Sequence, residues 1–352
     1  MSMPVFWFVV IAFLWTGFFV LEGFDFGVGM LHQLVGRTDT EQRVAINAIG
    51  PFWDGNEVWL IVGGAGIFAA FPSWYATWFS ALYLALVLLL VALIGRGVSF
   101  EFRGRLDSGR WRGTWSWCLT LGSALAPLLI GVALGDLLAG LPIDSSEEFT
   151  GSTWDVLTPY GLLVGVTLLV LCVLHGATFL SLRTEGPVRD RAHGVATRVV
   201  WPAAVLVLVF AVWTPSLSDA GFVRGVLPPV LAVLAVVAAG VALLRRREGW
   251  SFIATAATIG LTVVSIFSNL YPDVMVSSTG AADSLTVAGT ASGEYALKVM
   301  TVVALVLVPV VLAYQGWTYV VFRRRVAGPP AHDTSAGPVP DPSSPADEGV
   351  PA

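Results

Sequence analysis

Long apolar stretches separated by short polar connections dominate the chain. Windows of mostly apolar residues fall near 5–31, 48–71, 73–95, 115–138, 157–180, 199–217, 223–244, 251–271 and 296–322. A helix needs ~20 residues to cross a bilayer core, so the pattern predicts an all-α polytopic membrane protein of nine transmembrane helices. No soluble domain is left over. The second window is unusual in carrying Asp54 and Glu57; the sixth is short and contains Pro202 and Pro215. Internal proline is tolerable there because neighbouring helices can satisfy the freed backbone groups. Beyond Val326 the Pro, Ser, Asp and Gly composition cannot bury a core. The expected division is a transmembrane part, 1–325, and a disordered cytoplasmic tail, 326–352.

Composition agrees with this reading. The 352 residues are 56% hydrophobic and 12% charged, against roughly 25% charged in a soluble domain. The formal charge of −5 is divided between two membrane faces and a tail, so its sum says little about a partner. Placement says more. Seventeen of the 19 basic residues follow the first, third, fifth, seventh and ninth windows; only Arg224 and Lys298 fall on the other side. Basic residues accumulate on the cytoplasmic side, so the N-terminus is expected outside and the C-terminus in the cytoplasm. The chain opens without the short apolar run and cleavage site of a secretory signal, and its first apolar segment is expected to be retained. The outward connections after the fourth and eighth windows carry Asp144, Glu147 and Glu148, then the Gly-, Ser- and Thr-rich stretch 277–294, and read as surface lids. Cys118 and Cys172 lie in apolar segments and read as small packing residues. No internal repeat of the Asp54 stretch, as a transporter would favour, is evident.

The candidate chemistry lies in two acidic pairs. Glu22 and Asp25 are three residues apart in the first helix, which puts them on one face; Asp54 and Glu57 repeat the spacing in the second. An intramembrane carboxylate costs roughly 2.5–3.5 kcal/mol on insertion scales and is a functional hypothesis by default. Gly23 with Gly27, and Gly66 with Ala70, have the small-xxx-small spacing that permits close helix approach in lipid, so the two pairs could face each other. At ~1.5 Å per residue, Glu22 lies ~27 Å from an outer start near Pro4, and Asp54 ~9 Å in from the cytoplasmic face. All four carboxylates are thus expected in the cytoplasmic half, where proton uptake would begin. The competing reading is structural: Asp54 or Asp25 hydrogen-bonding Asn56 or Arg43, with Glu22 the most structural of the set.

Trp53 and Trp59 read as packing or interfacial residues. The four histidines supply no evident axial pair for a haem: His332 is in the tail, His193 in an arginine-rich loop, His32 at a helix end and His175 inside the fifth helix. Gly23 to Gly29 lacks the spacing and the preceding strand of a nucleotide loop. The inner arginines are explained by topology and anionic headgroups, and nothing points to nucleic acid or to a metal site.

The segments Gly23-Phe-Asp-Phe-Gly-Val-Gly-Met30, Gly36-Arg-Thr-Asp39, Trp53-Asp-Gly-Asn-Glu-Val-Trp-Leu60, Phe71-Pro, Arg110-Trp-Arg112 and Leu307-Val-Pro-Val together resemble subunit II of cytochrome bd quinol oxidase, over about residues 5–322. The resemblance implies two four-helix bundles and one peripheral helix, paired with subunit I in the bacterial cell membrane. The complex so implied oxidises quinol and reduces dioxygen to water, with haem b, haem d and the main quinol-oxidising loop in subunit I. By position, Asp54 matches an aspartate of the family's proton path from the cytoplasm; Asp25 matches one with a weaker assignment, and Glu57 joins them as a candidate. Some members hold a structural quinone near these helices. Phe52 stands where some relatives differ, so quinone contacts are not carried over. The resemblance leaves open small accessory subunits and the quinone type. Two other readings remain: a proton-coupled secondary transporter using Asp25, Asp54 and Glu57, and a purely structural membrane partner.

Overall fold

The computed structural model describes residues 2–327. Most of the expected tail, 328–352, including His332, lies outside the described residues. The described residues form eleven α-helices: α1 Met3–Val35, α2 Asp39–Ile49, α3 Trp53–Ala70, α4 Pro72–Ala81, α5 Tyr83–Phe102, α6 Gly109–Ala139, α7 Pro159–Arg183, α8 Gly186–Trp213, α9 Leu227–Leu244, α10 Glu248–Leu270 and α11 Glu294–Val321. Proline opens α1, α4 and α7, where its missing N–H costs nothing. Among the described residues, eight helices are long and apolar enough to cross a membrane. The second expected span, α3, has 18 residues but begins with Trp-Asp-Gly-Asn-Glu, so its first turn and a half is polar.

Three boundaries differ from the sequence expectation. The second window begins as a separate amphipathic helix, α2, which Thr38 and Glu41 start with a reciprocal capping box and which stops ahead of Pro51, because proline cannot continue the hydrogen-bonded turn. The third window breaks at Leu82 into α4 and α5. Most consequentially, α5 runs to Phe102, so Arg96 is not a loop residue but a fully buried one inside the helix.

Helix α1 is the central element, in contact with α3, α6, α7 and α10. Its approach to α7 rests on two glycines: a Cβ on Gly27 would stand 2.7 Å from the Gly176 Cα, so only glycine at both positions lets the backbones touch, as close packing in lipid favours. Helices α1, α3, α5 and α6 pack on one side. On the other, α7, α8, α9 and α10 pack in a closed circuit, α7 against α8 and α10, and α9 against α8 and α10. Helix α11 stands apart, touching α1 and α3 with only Leu297 buried. It is held by its ends. Trp7 Nε1 donates to Leu297 O at 3.2 Å and to Thr301 Oγ1 at 3.0 Å, while past the other end Arg325 pairs with Glu248 at 2.7 Å and Val326 N donates to Arg183 O.

The two expected lids form one layer. Strands β1 Asp273–Met275 and β2 Leu285–Thr286 pair antiparallel, and Leu141 and Ser277 join the connections to each other.

Candidate functional site

Of the second acidic pair only Glu57 meets the first, and not through the glycines. Gly23 and Gly27 face α7; what brings α1 and α3 together is Arg96 from α5. Its guanidinium pairs with Glu22 at 2.5 Å and with Glu57 at 2.8 Å. Glu22 and Arg96 are completely buried, whereas the Glu57 side chain keeps 22% of its exposure. Aromatic rings close around the cation, with Phe26 at 4.9 Å, Phe100 at 5.5 Å and Trp53 at 5.9 Å from the guanidinium carbon. This is the cation–π geometry that stabilises a desolvated arginine.

Asp25, also fully buried, lies one turn from Glu22. Its Oδ2 accepts from Asn56 Nδ2 at 2.6 Å, one of the contacts that the competing structural reading named. Asn56 is the pivot of the site: Nδ2 also donates to Leu21 O at 3.1 Å, and Oδ1 accepts from Gln315 Nε2 at 2.7 Å and from the Tyr319 hydroxyl at 3.3 Å. Gln315 is held in turn by Trp59 Nε1, which donates to its Oε1 at 2.9 Å. Among the described residues, three carboxylates, Glu22, Asp25 and Glu57, thus share one guanidinium, an excess of two carboxylates over cations.

Asp54 is exposed and stands outside the ion-paired group. Because α3 begins at Trp53 rather than near residue 48, Asp54 is in the first helical turn and not six residues deep. It lies one turn before Glu57 on the same helix.

Sequence reasoning missed Arg96, Gln315, Tyr319 and Asp136. Arg96 was legible from the apolar run that continues through Val98 and Phe100 after it. Asp136 is a fully buried carboxylate in α6, and the rule that singled out Asp54 applies to it equally; its Oδ1 accepts from Thr158 Oγ1 at 2.6 Å, and Thr158 caps α7 by accepting from Gly161 N. Two histidines hydrogen-bond within the scaffold. His175 Nδ1 meets Thr255 Oγ1 at 2.7 Å, its Nε2 meets Val20 O at 3.3 Å, and its ring stacks on Phe252 at 4.5 Å. His32 Nδ1 donates to Gly29 O at 2.7 Å. Among the described residues, no group of three or more His, Cys, Asp and Glu is placed to hold a metal ion.

The described residues thus define a multi-span helical membrane protein with an arginine–carboxylate cluster inside its helices. The family described as cytochrome bd terminal oxidase subunit II matches residues 3–322, and the chain belongs to that family. It is 46% identical over 324 residues to cytochrome bd ubiquinol oxidase subunit 2 of Bacillus subtilis, covering 91% of this chain and 96% of that one. It is 36% identical over 349 residues to cytochrome bd-I ubiquinol oxidase subunit 2 of Escherichia coli K12, covering 89% and 92%. The fold is similar to a chain of the bd oxidase from Geobacillus thermodenitrificans, with a TM-score of 0.70 at 16% identity over 91% of this chain and 99% of that one. The chain is thus subunit II of a cytochrome bd-type quinol oxidase of an aerobic respiratory chain, a multi-pass membrane protein whose partner, subunit I, carries the haems the family implies.

Proposed function

We propose that this subunit supplies two things to the oxidase: a scaffold for the haem-bearing subunit I, and a proton-uptake path that begins at Asp54 and passes to the buried group of Glu57, Glu22 and Asp25. The observation that carries the reading is the convergence of Glu22, Glu57 and Arg96 beside Asp25 inside the helices. Unpaired charge in a low-dielectric interior is expensive, so two carboxylates beyond the one cation are places where protons can be held and passed. The residual exposure of Glu57 and the exposure of Asp54 supply the opening. The transporter reading would keep the carboxylates but needs a substrate path, and the family membership weighs against it.

In this reading the chain spans the membrane nine times, α3 being the polar-ended span, with α4 and α5 together as one. The grouping of α1, α3, α5 and α6 against α7–α10, with α11 outside, supports two four-helix bundles and a peripheral helix. The N-terminus lies outside and the C-terminus in the cytoplasm; moving Arg96 from loop to helix leaves that charge asymmetry intact. The reading leaves haem ligation to subunit I; both His175 nitrogens are engaged by protein partners, Thr255 Oγ1 and Val20 O. The subunit would work with quinol as the complex's reductant, within membrane lipid and beside any small accessory subunits. An apolar cleft of about 920 Å³ between α3, α4, α5 and α6, reaching Glu57, has room for a structural quinone. The test is Asp54→Asn in the assembled complex. Haem content is expected to be unchanged and quinol-dependent oxygen consumption strongly lowered; normal turnover would return Asp54 to a structural role.

A further inference from the structure

The hydrogen bonds around Asn56 have a fixed direction, and the peripheral helix α11 sets it. An indole N–H only donates. Trp59 Nε1 therefore compels Gln315 to present Oε1 to it, which leaves Gln315 Nε2 to donate to Asn56 Oδ1. Tyr319 donates to the same oxygen. At the other end Leu21 O can only accept, which independently turns Asn56 Nδ2 inward, toward Leu21 and Asp25. Every link in the series Trp59, Gln315, Asn56, Asp25 thus runs donor to acceptor, with no ambiguity of amide orientation left at either side chain.

We infer that Gln315 is a positioning residue for proton transfer: by clamping the Asn56 amide it keeps Asp25 Oδ2 a permanent acceptor, so that a proton arriving at Asp25 is carried on Oδ1. This oxygen is buried and has no hydrogen-bond partner of its own, and the equally buried Glu22 lies one turn before Asp25 on the same face of α1. The clamp matters because of what it forbids. A free Asn56 could turn over and accept a proton from Asp25 through its own carbonyl oxygen, a hydrogen bond that holds the proton in place. With Gln315 donating to Asn56 Oδ1, turning over would set the Asn56 NH₂ against the Gln315 NH₂ and bury an unsatisfied group, a loss of about 1–3 kcal/mol. The proton on Oδ1 stays free to move to a neighbouring carboxylate oxygen, with Oδ1 giving up the bond that the new oxygen gains. Helix α11 buries almost nothing along its length, yet it delivers Gln315 and Tyr319 to this one point.

The inference rests on the proposed proton path, and its test separates the two. Gln315→Leu removes the clamp; Trp59→Phe keeps a ring beside Phe13 and Gly17 and removes only the indole N–H. Each variant is prepared as the complex with subunit I and checked by its haem spectrum. Oxidised-minus-reduced infrared difference spectra are recorded in the region of protonated carboxyl groups, with Asp25→Asn identifying the Asp25 band by its loss. The expected result in both variants is a shift of that band to higher wavenumber, because its carbonyl oxygen no longer accepts a fixed hydrogen bond, and a roughly tenfold slower oxygen consumption at unchanged KM for quinol; proton transfers by positioned groups contribute about 10²–10⁴-fold. A band that does not move in either variant, or no band lost in Asp25→Asn, overturns the inference. A shifted band with unslowed turnover, while Asp25→Asn is slow, overturns the positioning role and leaves the proton path standing. Normal turnover in Asp25→Asn overturns the path itself, and the positioning role with it.

Discussion

Replacing Arg96 by methionine, which approximates the length of the stem but carries no charge, removes the guanidinium that pairs with Glu22 and Glu57 beside Asp25. Breaking a buried ion pair by deleting one partner costs about 3–5 kcal/mol, mostly through the charge left behind. Glu22, with no exposed surface, accounts for most of this; Glu57 is partly solvated and contributes less. Lost contact with Phe26 and Phe100 adds about 0.5–2 kcal/mol. The decisive comparison is the double variant Glu22→Gln/Arg96→Met, which removes both charges and is expected to recover at least about 2 kcal/mol relative to the sum of the single variants. Since about 1.4 kcal/mol is tenfold, recovery of that size is a change of roughly 30-fold in the unfolding constant. The assay is sodium dodecyl sulfate titration of the complex in mixed micelles, followed by tryptophan fluorescence, together with the yield of assembled complex. If the single costs add to within about 0.5 kcal/mol, as independent sites do, Arg96 and Glu22 are uncoupled and the account of the cluster is wrong.

Gly27→Ala sets a methyl group against the backbone of α7 at Gly176, where neither helix can yield locally; a cost above about 3 kcal/mol is expected, read as loss of assembled, haem-containing complex, and normal yield would refute the backbone contact. On the cytoplasmic side, the Arg191 guanidinium hydrogen-bonded to Glu41 at 2.5 Å holds the Glu41 carboxyl below its ordinary value. A depressed carboxyl stabilises the fold above its unfolded value, ~4.3, and loses that contribution as the pH falls through the lowered folded value. The stability difference between the wild-type chain and Glu41→Gln is thus present at neutral pH and fades in acid below about pH 4; a difference independent of pH would contradict the pairing. Asp136→Ala removes the acceptor for Thr158 and is expected to cost about 1–3 kcal/mol, visible in the same detergent titration, whereas Asp136→Asn, which can still accept that bond, costs less.

Much of this arrangement was legible in the apolar periodicity. The spans around α1, α6, α7, α9, α10 and α11 follow from runs of Leu, Val, Ile and Ala that have no other stable place, and the acidic pairs stand out because carboxylates interrupt those runs. The boundaries of α3 and α5 were harder to read for local reasons. Pro51 ends α2 and restarts the helix, which moves Asp54 from an interior position to a first turn. Arg96 looks like a loop residue to any rule that ends a span at the first charge, and only its partners, 74 and 39 residues back in the chain, explain how it enters the interior. Gln315 was illegible because its role depends on Asn56, 259 residues away, and no local pattern links a glutamine in a late helix to an asparagine in an early one.

The central claim is that protons enter through this subunit's buried carboxylates, and the most direct measurement is proton uptake from the medium when the fully reduced complex reacts with oxygen. With Asp25→Asn, which removes a proton-holding group and keeps the side chain's size, the account predicts an intact haem spectrum and uptake at least about tenfold slower than in the unaltered complex. Uptake at the unaltered rate would contradict it.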